Sequence, residues 1–166
     1  MSDAVNHPGY YEKSNKGEKH IECIHLMAMI CEGYSGIAAF DIGQCKYIYR
    51  CGCKTEMGME NKDKAVQDAN KYGWYLKDFK SRALQNRTSC YPEYSKDELL
   101  PEGFYCNKTR NEALAEFIAD EYTFDKDERV KPIIRDLIET VYCMKTFREL
   151  DFAIEDVETL AKELSK

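Results

Sequence analysis

The sequence predicts an all-α fold, in which a compact multi-helix domain carries an extended N-terminal arm and a C-terminal helical extension. The main observation is that every long apolar pattern in the chain repeats about every 3.6 residues, the period of one helix face. Most Pro and Gly residues stand between these patterns, where the chain is expected to turn. No apolar run approaches the roughly 20 residues that cross a bilayer, so no membrane contact is expected.

Six helices are predicted along the chain. Residues 1–19 are polar and contain turn-forming Pro and Gly, so they are expected to form the arm. The helices follow at residues 20–31, 35–51, 62–86, 109–122, 127–145 and 149–165. The core face of the second could be Ile37, then Phe40 or the neighbours Ala39 and Ile42, followed by Tyr47 and Ile48. A polar stretch with two prolines predicts a linker or lid, which divides the chain into a helical domain, the linker and an acidic extension at residues 1–90, 91–108 and 109–166.

One glycine lies inside the third predicted helix. Gly73 should cost that helix about 1 kcal/mol relative to Ala. A glycine at such a position indicates either the close approach of another backbone or a ligand, or simply packing that tolerates it.

Composition and charge limit the classes of function. The net charge of −6 is carried by the C-terminal half, whereas the N-terminal half is slightly basic. An acidic surface disfavours polymeric nucleic acid, which is bound through neutralisation of its phosphates. Any phosphate chemistry is therefore expected in the N-terminal half. The N-terminus lacks a basic region followed by an apolar core, so no signal peptide is expected and the predicted location is cytoplasmic.

The eight cysteines could indicate either a metal site or free thiols. Cys45, Cys51 and Cys53 lie close together in the sequence, but no CxxC pair or HxxxH pattern completes a set of four ligands. Free thiols that act as small buried apolar side chains are therefore expected, and no metal site is predicted.

Four short motifs between His7 and Leu76 resemble the pattern of a known family. The stretches are HPGYY, IE, GQCKYIYR and DANKYGWYL. They are similar to the HPxHY, IE, GNxxKYxxR and EDLxKAxWYL motifs of small bacteriophage proteins catalogued as a domain of unknown function. At least one relative in that family is a nucleoside monophosphate kinase without the usual phosphate loop. The resemblance covers about 70 of the 166 residues, and it implies nucleotide chemistry in the cytoplasm of an infected host cell.

The match to the family pattern is partial. Tyr10 stands where the family has a second His, Gln44 replaces its Asn, and Tyr49 replaces its Trp. Gln67 replaces a Glu, and Gly73 stands where a helix-forming residue is expected. The residues that match position by position are Lys46, Tyr47, Arg50, Asp68, Lys71, Trp74, Tyr75 and Leu76.

The spacing of charged residues predicts two polar helix faces. Lys46 and Arg50 are four residues apart, so both project from one face of the second predicted helix. Asp68, Lys71 and Tyr75 share a face of the third in the same way, and Asp78 continues it. If the two faces meet, they form a cleft in which Arg and Lys can hold a phosphate. The alternative is an interhelical salt bridge of little net value.

Aromatic residues accompany these cations, and stacking on a base beside a phosphate is a common way to hold a nucleotide. Aromatic residues at helical spacing are also typical of a core. His7 precedes Pro8, so its backbone is expected to be extended and its ring could reach a neighbouring residue. Lys54 follows the second helix. The predicted ligand-binding residues are His7, Tyr10, Lys46, Tyr47, Arg50, Lys54, Asp68, Lys71, Trp74 and Tyr75.

Two functions remain open at this point. One is a phage protein, either a monomer or a homo-oligomer, that captures a small phosphorylated nucleotide without turnover, such as a cyclic nucleotide that the host uses as a defence signal. The other is an atypical nucleoside monophosphate kinase, which would use Mg²⁺. The chain has no GxxxxGK[ST] loop, and no catalytic residue is assigned. A helical interaction protein without a ligand is the third, plainer alternative.

Overall fold

The computed structural model of the protein describes residues 21–51, 61–95 and 97–166. Within these ranges the chain is helical and contains no strand, apart from one isolated bridge between Leu99 and Thr146. The all-α prediction is therefore confirmed. The helices are α1 Cys23–Cys31, α2 Gly36–Gly43, α3 Lys46–Tyr49, α4 Asn61–Gln85, α5 Glu112–Thr123, α6 Lys131–Val141 and α7 Phe147–Leu164. The predicted arm lies outside the described residues, and no helix within them could span a membrane.

The single helix predicted over residues 35–51 is wrong. The structure breaks it between α2 and α3, where Gln44 and Cys45 donate backbone hydrogen bonds three residues back instead of four. The end of α2 also lies tightly against α1, because a Cβ atom added at Gly43 would meet the Cys31 sulfur at 3.0 Å. The chain therefore changes direction before the lysine that begins α3.

The predicted core face of this segment is wrong at Ile37 and Phe40, but it is confirmed at Ile42 and Ile48. Ile37 is 41% exposed and Phe40 is 55% exposed, whereas Ala38 and Ile42 are fully buried. The break at Gln44 rotates α2 relative to α3, so one continuous helical pattern could not describe both segments. Phe40 is thus left on the surface beside the site described below.

The long helix α4 organises the domain. One of its faces packs against α2 and α3, and another packs against α7. The helix α7 in turn packs against α6, and α6 packs against α5. Gly73 lies where α4 crosses α7, and a Cβ atom placed there would lie 3.0 Å from Cγ1 of Val157. Close packing of a side chain, rather than of a backbone, therefore accounts for this glycine. A single apolar core contains residues from both halves of the chain.

The stretch between α4 and α5 is tied to its surroundings. Arg87, just after α4, donates two hydrogen bonds to Glu98 at 2.7 and 2.8 Å. The Tyr94 hydroxyl donates to Asp151 on α7 at 2.5 Å. The backbone of Cys106 donates to the carbonyl of Met144 at 2.8 Å. These contacts hold the segment against the ends of α4, α6 and α7.

The helix α7 begins two residues earlier than predicted, because Thr146 and Glu149 form a capping box. The Thr146 hydroxyl accepts a hydrogen bond from the Glu149 backbone, while the Glu149 carboxylate accepts one from the Thr146 backbone. Such reciprocal caps satisfy two of the free N–H groups at a helix start. The start of α7 is therefore set by local hydrogen bonding.

We expect Gly73 and Val157 to be energetically coupled. Gly73→Ala removes a helix penalty of about 1 kcal/mol, but in the native protein its methyl group crowds Val157. In a Val157→Ala background the crowding disappears, so the same substitution should be more favourable by roughly 0.5–2 kcal/mol. Urea unfolding of the two single variants and the double variant measures this difference. Strict additivity would show that the contact with Val157 is not what keeps residue 73 small.

Candidate functional site

The ring of Tyr47 is the centre of the candidate site. It stacks on Tyr75 with ring centroids 6.2 Å apart and planes 10° from parallel. Three cationic groups surround it: the Lys46 and Lys71 ammonium nitrogens lie 5.5 and 5.4 Å from its centroid, and the Arg50 guanidinium carbon lies at 4.6 Å. At these distances the cations are attracted by the face of the ring.

Two elements bring these residues together. The single turn of α3 begins at Lys46, and Arg50 is the residue that caps its end. On α4, Lys71 and Tyr75 are four residues apart and therefore share one face. The two faces that the sequence predicts to be polar do meet in the structure. They meet around Tyr47, because α3 packs against α4.

Asp68 lies beneath this surface and is fully buried. Its Oδ1 is 3.8 Å from an Arg50 terminal nitrogen and 3.5 Å from the Lys64 ammonium nitrogen. Neither carboxylate oxygen has a hydrogen-bond partner among the described residues. Burial raises the pKa of Asp68, while Arg50 and Lys64 act in the opposite direction. Asp68 thus pairs with Arg50, as the sequence suggested, but without holding it in a tight fork.

Lys64 is the residue of this cluster that the sequence analysis missed. It is fully buried, and its ammonium group donates to the Gln67 side chain at 2.7 Å. The available signal was its position four residues before Asp68, which places the two side chains on one face of α4. That spacing is common on exposed helices, so it did not distinguish a buried lysine from a surface one.

The cations create a positive field at Lys71. Burial lowers the pKa of Lys71, the neighbouring Lys64 lowers it further, and Asp68 only partly opposes them. Among the described residues, neither Lys46 nor Lys71 forms an ion pair with a carboxylate. An anion placed between them would therefore be attracted by two ammonium groups that are not already bound to an acidic side chain.

Exposed aromatic rings adjoin the cations. Trp74 is 63% exposed, and its ring lies nearly perpendicular to that of Tyr75 with the two centroids 5.0 Å apart. The ring of Phe40 is also nearly perpendicular to Tyr75, with the centroids 6.0 Å apart. Large aromatic side chains are usually at least half buried, so two exposed rings in one place form a binding surface. A shallow depression of about 520 Å³ runs along α4 beside Trp74 and is lined by Asp63, Val66, Gln67, Asn70, Lys71 and Trp74.

A pair of carboxyl groups lies at the other end of the same face of α4. Asp41, on α2, is 1% exposed and hydrogen-bonds to the carboxyl of Asp78, which also accepts from Arg82 Nε at 2.9 Å. Two carboxyl groups can share a hydrogen bond only if one holds a proton. Burial and Asp78 raise the pKa of Asp41 to about 7, whereas Arg82 and Asp41 lower that of Asp78. The proton therefore belongs to Asp41.

The remaining predicted site residues lie elsewhere or are not described. His7, Tyr10 and Lys54 lie outside the described residues, as does Cys53.

The seven cysteines that are described are free thiols, and four of them are buried: Cys23, Cys45, Cys106 and Cys143. In the described parts of the chain no three His, Cys, Asp or Glu side chains converge as a metal site would require.

Comparison with known proteins returns no relative: no family model, no curated protein and no solved structure matches this chain. The resemblance to the phage family therefore stays a prediction that rests on the motif residues. The fold and the surface around Tyr47 define a helical protein with a mixed cationic and aromatic site.

We expect Asp41 to make the stability of the protein fall as the pH rises. Its folded-state pKa of about 7 lies above its ordinary value of 3.8, so between these values the folded state binds more protons than the unfolded state. The contribution of Asp41 to the free energy of unfolding is therefore fully present below its unfolded-state pKa and is lost as the pH rises through its folded-state pKa. Asp41→Asn should remove it.

The measurement is urea unfolding of the parent and the Asn variant at several pH values between about 4 and 8. The difference between the two proteins isolates Asp41, because Asp156 on α7, whose pKa is raised to about 6, affects both equally. Parallel pH profiles for the two proteins would contradict the assignment of the proton to Asp41.

Proposed function

We propose that the protein captures a small phosphorylated nucleotide on the surface formed by α3 and α4, and releases it unchanged. The observation that supports this most directly is the group of three cations around Tyr47, placed next to two exposed aromatic rings. Phosphate and base are the two parts of a nucleotide that such neighbours recognise.

The phosphate would bind between Lys46 and Lys71. Both ammonium groups lie near the same ring, so the distance between them cannot exceed the sum of their distances from it, about 11 Å. Bound anionic oxygens would offset the burial and the repulsion by Lys64 that together lower the pKa of Lys71. Arg50, held beneath Tyr47 by Asp68, would add positive potential from below.

The base would stack on Trp74 or Phe40. Both rings lie nearly perpendicular to Tyr75, and both are more than half exposed, so a base can reach them. Stacking on an aromatic side chain stabilises a bound base by roughly 1–3 kcal/mol. Burying these exposed rings would also remove apolar surface from water.

The burial of Asp68, the acidic residue that pairs with Arg50, supports capture over turnover. Asp68 is buried against Arg50 and Lys64, where it positions them instead of facing the surface. The sequence also lacks a phosphate loop. The motif resemblance supports the second candidate, a nucleoside monophosphate kinase that would use Mg²⁺. On the capture reading, a phage protein of this kind would act as a sponge for a host cyclic-nucleotide defence signal and evade host immunity.

Lys71→Ala and Lys46→Ala should each weaken nucleotide binding about tenfold, because each removes a charge-assisted hydrogen bond. Isothermal titration with a panel of nucleoside monophosphates and cyclic nucleotides measures the effect. Lys77→Ala is the matched control, since Lys77 is on the same helix but pairs with Glu158 on α7. The parent's affinity should also fall as salt is added. Equal binding by all four proteins would refute the site.

Arg50 requires a separate test, because it has two roles. Arg50→Ala leaves Asp68 buried next to Lys64 alone, so it should lower stability by several kcal/mol as well as affinity. Arg50→Lys keeps the charge but not the fork, so it should recover most of the stability and only part of the affinity. A variant that loses stability while its folded fraction binds normally would show that Arg50 is purely structural.

Turnover can be measured directly on the ligand. After incubation with the protein, with and without ATP and Mg²⁺, the nucleotide is released by heat and separated by anion-exchange chromatography. Capture predicts that it is recovered unchanged in both samples. Conversion of a monophosphate to a diphosphate in the sample with ATP would establish the kinase instead.

A further inference from the structure

Asp78 continues the site along α4 beyond the aromatic rings. It follows Tyr75 by three residues and Trp74 by four, so all three side chains project from neighbouring positions of one helix face. From Lys71 to Asp78 the helix rises about 10 Å. This span matches one mononucleotide laid along α4, with its phosphate at Lys71, its base on the aromatic rings and the outer edge of the base at Asp78.

The Asp78 carboxylate is held from two sides. Arg82 donates to Oδ2 at 2.9 Å, and the Asp41 carboxyl bonds to it from α2. Asp41 itself is 1% exposed, and its Oδ2 has no hydrogen-bond partner among the described residues. Arg82 and Asp41 hold the pKa of Asp78 below its ordinary value, so Asp78 is a carboxylate with lone pairs available. Its side chain is 23% exposed, so a ligand can reach it.

A purely structural role explains this arrangement poorly. An Arg–Asp pair at this spacing on a helix surface stabilises a protein by only about 0.3–0.5 kcal/mol and needs no third partner. An Asn at position 41 could join α2 to α4 without burying a second carboxyl group. As a hydrogen-bond donor, the neutral Asp41 carboxyl keeps Asp78 charged and oriented at a position where stability needs no third partner.

We propose that Asp78 reads the edge of the bound base, and that the site therefore prefers nucleotides whose base carries an exocyclic amino group. This inference rests on the proposed function. A carboxylate accepts hydrogen bonds and donates none, so it pairs with the amino groups of adenine, guanine and cytosine. Uracil and thymine present a carbonyl oxygen where cytosine has its amino group, and the carboxylate would repel this oxygen.

Two pairs of nucleotides that differ mainly at this edge provide the test. CMP has an amino group where UMP has a carbonyl, and AMP and IMP differ in the same way. The parent should bind CMP about tenfold more tightly than UMP, and AMP about tenfold more tightly than IMP, the effect of one hydrogen bond to a charged group. The ratio within each pair is measured on one protein sample by isothermal titration, so it is independent of the folded fraction.

Asp78→Asn should abolish or reverse both ratios, because the amide can donate to a carbonyl. Glu158→Gln removes a charge from the exposed surface of α7, away from this face, and should leave both ratios unchanged. Asp41→Ala removes the proton donor that orients Asp78 and should reduce the ratios. Asp41→Asn supplies a donor again and should restore them, which a general loss of packing would not do.

The outcomes separate this inference from the function on which it rests. If nucleotides bind at Lys46 and Lys71 but the parent shows equal affinity within each pair, base reading by Asp78 is wrong and capture stands. Preserved ratios in Asp78→Asn also overturn it. If no nucleotide binds the parent, the proposed function fails and the inference fails with it.

Discussion

The buried ion pair between Arg50 and Asp68 is the constraint on which the site depends. A carboxylate that is fully removed from water must have a cation beside it, and loss of either partner would leave a buried charge at a cost of about 3–5 kcal/mol. The pair joins the end of α3 to the middle of α4. Because Tyr47 precedes Arg50 by one helical turn, fixing Arg50 also fixes the ring around which Lys46 and Lys71 gather. The fold cannot relax this contact without dispersing the cations.

The two sides of α4 serve different purposes. The side at Gly73 packs so closely on Val157 that a methyl group added at Gly73 would be crowded. This close packing fixes the axis of α4 relative to α7. The side at Lys71 and Tyr75 remains partly open. A helix held rigidly along one face can present side chains on the other with little conformational freedom left to lose on binding. The packing of the C-terminal half therefore contributes to the site although none of its residues lies in it.

Most of the helices were predictable because each has an apolar stripe with a 3.6-residue period. Spacing predicted the two polar faces, but their meeting was an open condition that only the tertiary structure fulfils. Three features were not predictable. The break at Gln44 and Cys45 arises from tight packing of Gly43 on Cys31, a contact between distant residues. Lys64 has the local pattern of a surface lysine, and only the tertiary fold buries it. The pairing of Asp41 with Asp78 joins α2 to α4 across 37 positions, and nothing in either segment marks these two acids as partners.

The geometry also bears on why this surface would hold a ligand without changing it. Catalysis requires interactions that strengthen as the transition state forms, whereas groups that bind substrate and transition state equally only tighten binding. The cations around Tyr47 are positioned by a buried carboxylate and by stacked rings, so in the proposed capture they would hold a phosphate in its ground state. Asp78 lies about 10 Å along α4 from Lys71, too far to assist chemistry at a phosphate bound there. Fixed cations at one end and a fixed acceptor at the other favour recognition of a whole nucleotide over reaction at one of its bonds.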